Sequence, residues 1–219
     1  MMMKKIITLT ATALLAISAS AQSEAGSLTW KPNVGITYTT ATGFLGKYSD
    51  GAVGVTAGVE AMYMLKEKFG AALGLNYTGY NVSDKYGDSD GSICSNYYFN
   101  IPITASYYVA PGLALKAGVA LNILSTANVQ SSFIYNIYNN NLEYYYYASP
   151  SDLANYVSSL KVNPAKDYYK STFFSIPLGA SYEYKNVVFD ARYNLGLGKV
   201  CDWCDGTFNS FSFTVGYKF

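Results

Sequence analysis

The sequence contains no histidine, and only 13% of its residues are charged. Without histidine, a Ser-His-Asp triad cannot be built, and no imidazole is available to bind a metal. We therefore predict that the protein is not an enzyme and has no catalytic residue, metal site or cofactor. The formal net charge of +1 gives no reason to expect a nucleic-acid partner. A water-facing surface usually carries about 25–35% charged residues, so much of this surface is expected to meet something other than water.

Long apolar runs are also scarce. One run, Ile6 to Ile17, follows Lys4 and Lys5 and precedes an Ala-Ser-Ala sequence ending at Ala21. At about 12 residues it is shorter than the ~20 that a membrane-spanning helix needs. Its flanks predict a secretory signal peptide over 1–21, which leaves 22–219 as one domain. Since no other apolar run approaches spanning length, a place inside a membrane would require a β-barrel.

The chain is rich in segments that alternate apolar and polar residues with a period of two, which is typical of strands. Eight such segments occur, and short turns alternate with long connections between them. This pattern predicts an all-β fold, an eight-stranded antiparallel up-and-down transmembrane β-barrel, with both termini at the rim of the short turns. The predicted strands are 28–40, 53–65, 69–80, 97–109, 113–124, 172–184, 187–197 and 211–219.

Periodicity alone does not say whether the apolar face meets lipid or the core of a soluble, lipocalin-like barrel. The polar face is made mainly of Gly, Ser and Thr and carries few charges. A solvated exterior would carry more Lys and Glu, whereas small residues suit the narrow interior of an eight-stranded barrel. Aromatic residues cluster near both ends of the apolar faces, as expected at the two boundaries of a bilayer. We therefore predict that the apolar face meets lipid.

The last strand and an internal repeat carry a family resemblance. Phe99–Tyr107 (FNIPITASY) and Phe174–Tyr182 (FSIPLGASY) share the proline, the Ala-Ser pair and both aromatic ends. With its terminal aromatic strand, the chain resembles the small outer-membrane β-barrel domain family common in Bacteroidetes, among the porin-family or OmpA-like eight-stranded barrels. The resemblance implies a bacterial outer-membrane location, surrounding lipid, a monomer, and recognition of the last strand by the barrel assembly machinery. That assembly signal comprises Phe211, Phe213, Val215, Tyr217 and Phe219.

Six charged residues lie on the predicted inner face. Charges in a narrow lumen must pair or be hydrated, because an isolated charge there is costly. They form either the gate of a polar pore or a salt-bridged plug that holds the barrel shut, and we favour the plug. Our preferred pairing places Arg192 between Glu60 and Glu183. The six residues are Glu60, Lys116, Glu183, Asp190, Arg192 and Lys218.

Three cysteines lie on predicted outer loops: Cys94 on the second, and Cys201 and Cys204 on the fourth. A redox pair or a three-thiolate metal site is the functional alternative, and the absence of histidine and of a second CxxC speaks against both. In an exported protein a disulfide is the expected state. It joins Cys201 to Cys204, or one of them to Cys94, and leaves one odd thiol.

The third outer connection, about 125–171, is rich in Tyr and Asn and includes a predicted short helix over 150–160. Exposed Tyr and Asn suit recognition of a surface protein or glycan, and the alternative is a lid over the barrel mouth. We predict a structural or adhesive role through this loop, and as the alternative a narrow porin-like channel for small solutes. The candidate binding residues are Tyr135, Tyr138, Tyr144, Tyr145, Tyr146 and Tyr147.

Cleavage of the signal peptide gives the first test. The protein isolated from outer membranes should begin at Gln22, because small residues precede the predicted cut after Ala21. Mass spectrometry of the intact protein checks this directly. A mass that still includes residues 1–21 would contradict the prediction and indicate an uncleaved anchor.

Overall fold

A computed structural model describes residues 24–85, 93–128, 169–201 and 205–219. Within these ranges the chain forms eight strands and one short helix. The predicted cleavage site, the six candidate binding tyrosines of the third outer connection and its predicted helix over 150–160 lie outside the described residues. The elements are β1 (Leu28–Ala41), α1 (Gly43–Tyr48), β2 (Ser49–Lys66), β3 (Phe69–Asp84), β4 (Ile93–Ala110), β5 (Leu113–Asn128), β6 (Thr172–Tyr184), β7 (Val187–Leu197) and β8 (Phe208–Tyr217).

The eight strands close into a barrel in which each pairs antiparallel with its neighbours in sequence. β8 pairs with β1 from Asn33 opposite Gly216 to Ala41 opposite Phe208. Beyond the end of β8, Phe219 and Trp30 exchange two backbone hydrogen bonds, of 2.9 and 3.2 Å. The predicted eight-stranded up-and-down barrel is therefore confirmed. Closure gives every strand two partners, which removes the open edge that an ordinary sheet would leave.

The two faces of the barrel differ as the alternation predicts. On β1 the apolar side chains of Val34 and Ile36 are 63% and 57% exposed, whereas Thr37 between Ile36 and Tyr38 is buried. The same holds around most of the barrel, with large apolar residues outside and mainly small or polar residues inside, apart from the buried rings near the outer rim. An apolar exterior of this extent suits lipid, because contact between so much apolar surface and water would be unfavourable.

Aromatic residues line up across strands near both ends of the exterior. At the rim of the short turns, Phe69 lies opposite Tyr107 and Tyr182 opposite Phe189. At the other end Tyr38 lies opposite Phe211 and Tyr77 opposite Phe99. The amphipathic rings of Tyr and the adjoining Phe residues thus form two bands, which mark the two boundaries between lipid and water.

Strand bounds agree with the predictions for β6 and β7 and are longer elsewhere. Four consecutive strands, β2 to β5, have 16–18 residues. About 9–11 residues suffice to cross a bilayer, so at least about five residues of each lie beyond it. The extra residues are at the rim opposite the termini, in segments that the predicted strand ranges left as connections. Because β2 to β5 are neighbours, the barrel wall is taller along these four strands.

The connection that the strand ranges predict over 41–52, a stretch rich in glycine, is not a loop throughout. Residues 43–48 form α1, and β2 begins already at Ser49. Leu45 of α1 is fully buried against aromatic residues inside the barrel mouth. The glycines suggested a loop, but burial of Leu45 favours one helical turn that folds inward, a tertiary effect that local propensity does not report.

The last strand also differs from its predicted range. β8 begins at Phe208, three residues earlier than predicted, because Phe208 turns inward and packs in the mouth cluster. Regular strand ends at Tyr217, although Phe219 still pairs with Trp30 through the backbone.

Each repeated proline interrupts the ladder on one side of its strand. Pairing between β3 and β4 skips the residues around Pro102, and pairing between β5 and β6 skips those around Pro177. Proline has no N–H to donate, so one neighbour loses a hydrogen bond there. Gly74 faces Pro102 so closely that an added Cβ would lie 2.8 Å from the proline Cγ. Both copies of the repeat thus place a proline where one of the two ladders of its strand is interrupted.

Some interior glycines permit close contact between the backbones of neighbouring strands. Replacing such a glycine with alanine should cost more stability than replacing a glycine that only faces a flexible side chain. At Gly118 an added Cβ would overlap the backbone carbonyl of Ile103, whereas at Gly70 it would meet the flexible Met64 side chain at 3.0 Å. We expect Gly118→Ala to cost about 1–3 kcal/mol of unfolding free energy and Gly70→Ala much less. Urea unfolding in detergent, followed by heat-modifiable migration in gels, checks this. Equal losses for the two variants would contradict the proposed role of backbone contact at Gly118.

Candidate functional site: the barrel interior

The six charged residues predicted for the lumen all lie inside the barrel. They separate into a central cluster and a pair near the rim of the short turns. In that pair Lys218 forms an ion pair with Glu183. The central cluster contains Glu60, Lys116, Asp190 and Arg192, and a fifth member, Lys31.

The two carboxylates of the cluster are each shared by three cations. Glu60 Oε1 accepts from Lys116 Nζ at 2.7 Å and lies 2.9 Å from Lys31 Nζ, while Glu60 Oε2 accepts from Arg192 Nη2 at 3.1 Å. Asp190 Oδ2 lies 2.9 Å from Lys116, 3.1 Å from Arg192 and 3.4 Å from Lys31. Glu60 is 4% exposed and Asp190 2%. The cluster is therefore a buried, multiply bridged ionic network.

The expected pairing of Arg192 with Glu183 is wrong. Arg192 contacts Glu60 and Asp190, and Glu183 contacts Lys218. The register explains the difference, because Glu183 lies opposite Val188 at the end of β6, four positions from Gly179, which lies opposite Arg192. Side chains separated by that distance along the barrel axis do not meet.

Lys31 is the member of the network that sequence reasoning missed. Its signal was present, because Lys31 lies on the polar face of β1 between the outward-facing Trp30 and the proline at position 32. The register places it directly opposite Glu60 on β2. Strict use of the period-two rule on β1 would have found it.

A layer of amides and hydroxyls lies next to the network on the side of the long connections. Asn122 Oδ1 accepts from Asn100 Nδ2 at 2.8 Å and from the Tyr80 hydroxyl at 2.9 Å. Asn122 Nδ2 in turn donates to Ser175 Oγ at 3.0 Å. These buried groups satisfy one another, as buried polar groups must.

Beyond this layer, aromatic residues fill the barrel mouth. Phe173 packs edge-on against Tyr80 and Tyr98, with ring centroids 5.6 and 5.1 Å apart, and Phe208 stacks on Tyr80 at 6.2 Å. α1 covers the cluster through Leu45. We call this set the mouth cluster: Leu45, Tyr80, Val82, Tyr98, Ala127, Tyr169, Phe173, Val200, Cys201 and Phe208.

Backbone hydrogen bonds hold the described parts of the connection between β7 and β8 against the mouth cluster. Val200 N donates to Gly206 O at 2.8 Å, and Lys170 N donates to Val200 O at 2.7 Å. Thr42 N, just before α1, donates to Thr207 O at 2.9 Å. The segments that follow β1, precede β6 and precede β8 are thus joined through their backbones across the mouth.

Cys201 is fully buried in the mouth cluster and is disulfide-bonded. The sequence offers Cys94 and Cys204 as its partners, and the side chains of both lie outside the described residues. Neither alternative of the prediction is therefore decided. Among the described side chains, no three His, Cys, Asp or Glu groups come together as a metal site.

Within the described part of the chain, two small cavities adjoin the charged network. One of ≈ 30 Å³ is lined by the network and by the amide and hydroxyl layer. The other, of ≈ 10 Å³, lies between the network and the Lys218–Glu183 pair. A cavity needs about 10–15 Å³ to hold one water molecule, so the larger space admits about two or three waters and the smaller one at most one. The interior at these levels is packed with protein.

An apolar exterior, a closed antiparallel meander and a filled interior define a membrane-embedded β-barrel. The family of the outer membrane protein beta-barrel domain matches residues 20–202. The chain belongs to this family, and its location is the outer membrane. Among the described residues, no helix has the length and apolarity required to cross a membrane. No curated protein matches the chain by sequence.

Solved barrels with similar folds have low sequence identity to the chain. Neisserial surface protein A is 18% identical, with 87% of this chain and 97% of that one covered and a TM-score of 0.48. OprG from Pseudomonas aeruginosa is 13% identical, with coverages of 90% and 98% and a TM-score of 0.46. Ail, the attachment invasion locus protein of Yersinia pestis, is 12% identical, with coverages of 88% and 99% and a TM-score of 0.44.

Removing one shared carboxylate should strongly destabilise the barrel. Glu60→Gln leaves three buried cations with one carboxylate, and breaking a buried ionic group typically costs about 3–5 kcal/mol. The control Asp205→Asn breaks an exposed pair with Lys199 and should cost less than about 1 kcal/mol. Urea unfolding of both variants in detergent measures the difference.

A second substitution tests whether charge balance is the cause. The double variant Glu60→Gln with Lys31→Met restores the wild-type excess of one positive charge, so it should be more stable than Glu60→Gln alone. A double variant as unstable as the sum of the single variants would show that the network acts through packing and not through charge.

Proposed function

We propose that this protein is a closed, non-conducting barrel with a structural or adhesive role at the outer surface of the membrane. One observation carries the proposal: the lumen is filled at successive levels. The charged network, the amide and hydroxyl layer and the mouth cluster follow one another along the axis. Any solute would have to displace bridged charges and packed aromatic rings, both of which are costly to separate.

The shape of the outer rim supports a role at the surface. The four long strands β2 to β5 extend beyond the bilayer on the side of the long connections. Sheet structure is more rigid than a loop, and a rigid base reduces the entropy lost when a surface binds a partner. The Tyr-rich connection that follows β5 carries our predicted binding residues for a surface protein or glycan, Tyr135, Tyr138 and Tyr144 to Tyr147.

The last strand supports a further part of the proposal, its use as the assembly signal. The outward face of β8 presents Phe211, Phe213, Val215 and Tyr217, and Phe219 after it is 71% exposed. A continuous apolar face ending in an aromatic residue is available to an assembly partner before β8 pairs with β1. This role, like the monomeric state, remains a prediction.

Conductance across a planar bilayer tests the proposal against the alternative of a narrow channel. Protein extracted from membranes in detergent should insert and remain electrically silent, because the interior is filled. The control is heat-modifiable migration of the same sample, which shows that the barrel is folded. Discrete openings that change in Glu60→Gln or Arg192→Gln would contradict closure and make the network a gate.

Whole-cell binding tests the adhesive part. Replacing Tyr144 to Tyr147 with Ser should lower binding of cells to protein-coated or glycan-coated surfaces at least severalfold, since Tyr provides much of the contact area at such surfaces. The matched control replaces Tyr193 and Tyr217, which face lipid, with Ser. Equal binding by all three strains would leave the barrel a structural role only.

A further inference from the structure

The charges inside the barrel do not balance. Lys31, Lys116 and Arg192 face only Glu60 and Asp190 in the network. The separate pair of Lys218 and Glu183 is neutral, so the described interior carries a formal surplus of one positive charge. A surplus charge away from bulk water is unfavourable unless an opposite charge lies close to it.

One donor of the network is also unused. Arg192 places Nη2 3.1 Å from both carboxylates, but its Nε is buried and has no hydrogen-bond partner among the described residues. A buried guanidinium N–H without an acceptor costs free energy comparable to a lost charge-assisted hydrogen bond. The surplus charge and the missing acceptor therefore both belong to this network.

The cavity of ≈ 30 Å³ adjoins this position. Its lining contains the cations Arg192 and Lys31, the carboxylates Glu60 and Asp190 that they already bridge, and neutral amide and hydroxyl donors, among them Asn33, Asn76, Asn194 and Ser212. Side-chain amides and hydroxyls donate hydrogen bonds without adding charge. A cavity of this volume exceeds the about 10–15 Å³ that one water molecule needs but is smaller than the room for five such groups, so it suits a single compact ion better than a polyatomic anion.

We propose that this cavity binds one monatomic anion of chloride size, held by Arg192, Lys31 and the surrounding amide and hydroxyl donors. The ion would neutralise the network and accept the free hydrogen bond of Arg192 Nε. A metal cation is disfavoured there, since both carboxylates already serve three cations each. The inference goes beyond the proposed surface role and does not depend on it.

Folding in different salts tests the site. The protein is unfolded in urea and refolded into detergent in sodium chloride, bromide, gluconate or sulfate at equal ionic strength, so that the interior equilibrates with each anion. Above half-saturation, each tenfold rise in chloride should raise the folded-to-unfolded ratio about tenfold, and bromide should act similarly. Gluconate and sulfate should have no such effect. An equal effect of all four salts would reflect ionic strength and overturn the proposal.

Two lysine variants assign the effect to the network. Lys31→Met removes the surplus charge and should abolish the chloride dependence, whereas Lys199→Met removes an exposed lysine at the rim and should keep it. Persistence of the chloride effect in Lys31→Met would overturn the proposal.

Crystals of the wild-type protein soaked in bromide provide a measurement that does not depend on the variants folding. An anomalous peak within hydrogen-bond distance of Arg192 Nε is expected. Its absence in crystals that show bromide elsewhere would overturn the proposal, and water would then be the occupant.

Discussion

Within a bilayer there is no water to satisfy the hydrogen-bonding groups of the backbone, and this constraint shapes the whole molecule. Each strand must pair on both sides, so the sheet must close. With eight strands the closed sheet encloses a space that side chains nearly fill. The narrow interior then explains the use of glycine at positions such as Gly118, where a methyl group would overlap the backbone of the next strand.

The same closure explains why the interior charges are bridged so heavily. Glu60 and Asp190 are almost inaccessible to solvent, and an unpaired carboxylate there would be costly. The three cations that neutralise the two carboxylates come from different strands, so the ion pairs of the network connect β1, β2, β5 and β7. The network therefore links strands from different parts of the barrel, in addition to their backbone pairing. It also leaves a formal excess of one positive charge, which is one basis of the proposed anion site.

Much of the fold could be predicted from the sequence, because alternation is a local property. The ranges of β6 and β7 agree residue by residue. The six charged residues predicted for the inner face are found in ion pairs inside the barrel. Errors occurred where a distant contact decides. α1 forms because Leu45 packs against rings contributed by β3, β4 and β8, and β8 begins early because Phe208 joins the same cluster. These segments are rich in glycine or polar residues, and their local composition does not indicate which distant residues Leu45 and Phe208 contact.

The sequence by itself determined the number of strands, their alternation and the face that meets lipid, since a period of two assigns each side chain to one side of the sheet. Only the tertiary structure decided which interior groups meet. Glu60 reaches Arg192 across 132 residues of chain, and Glu183 pairs with Lys218 instead, because closure of β8 onto β1 fixes the height of every side chain in the barrel. That height depends on the register of all eight pairings together, and no single strand encodes it.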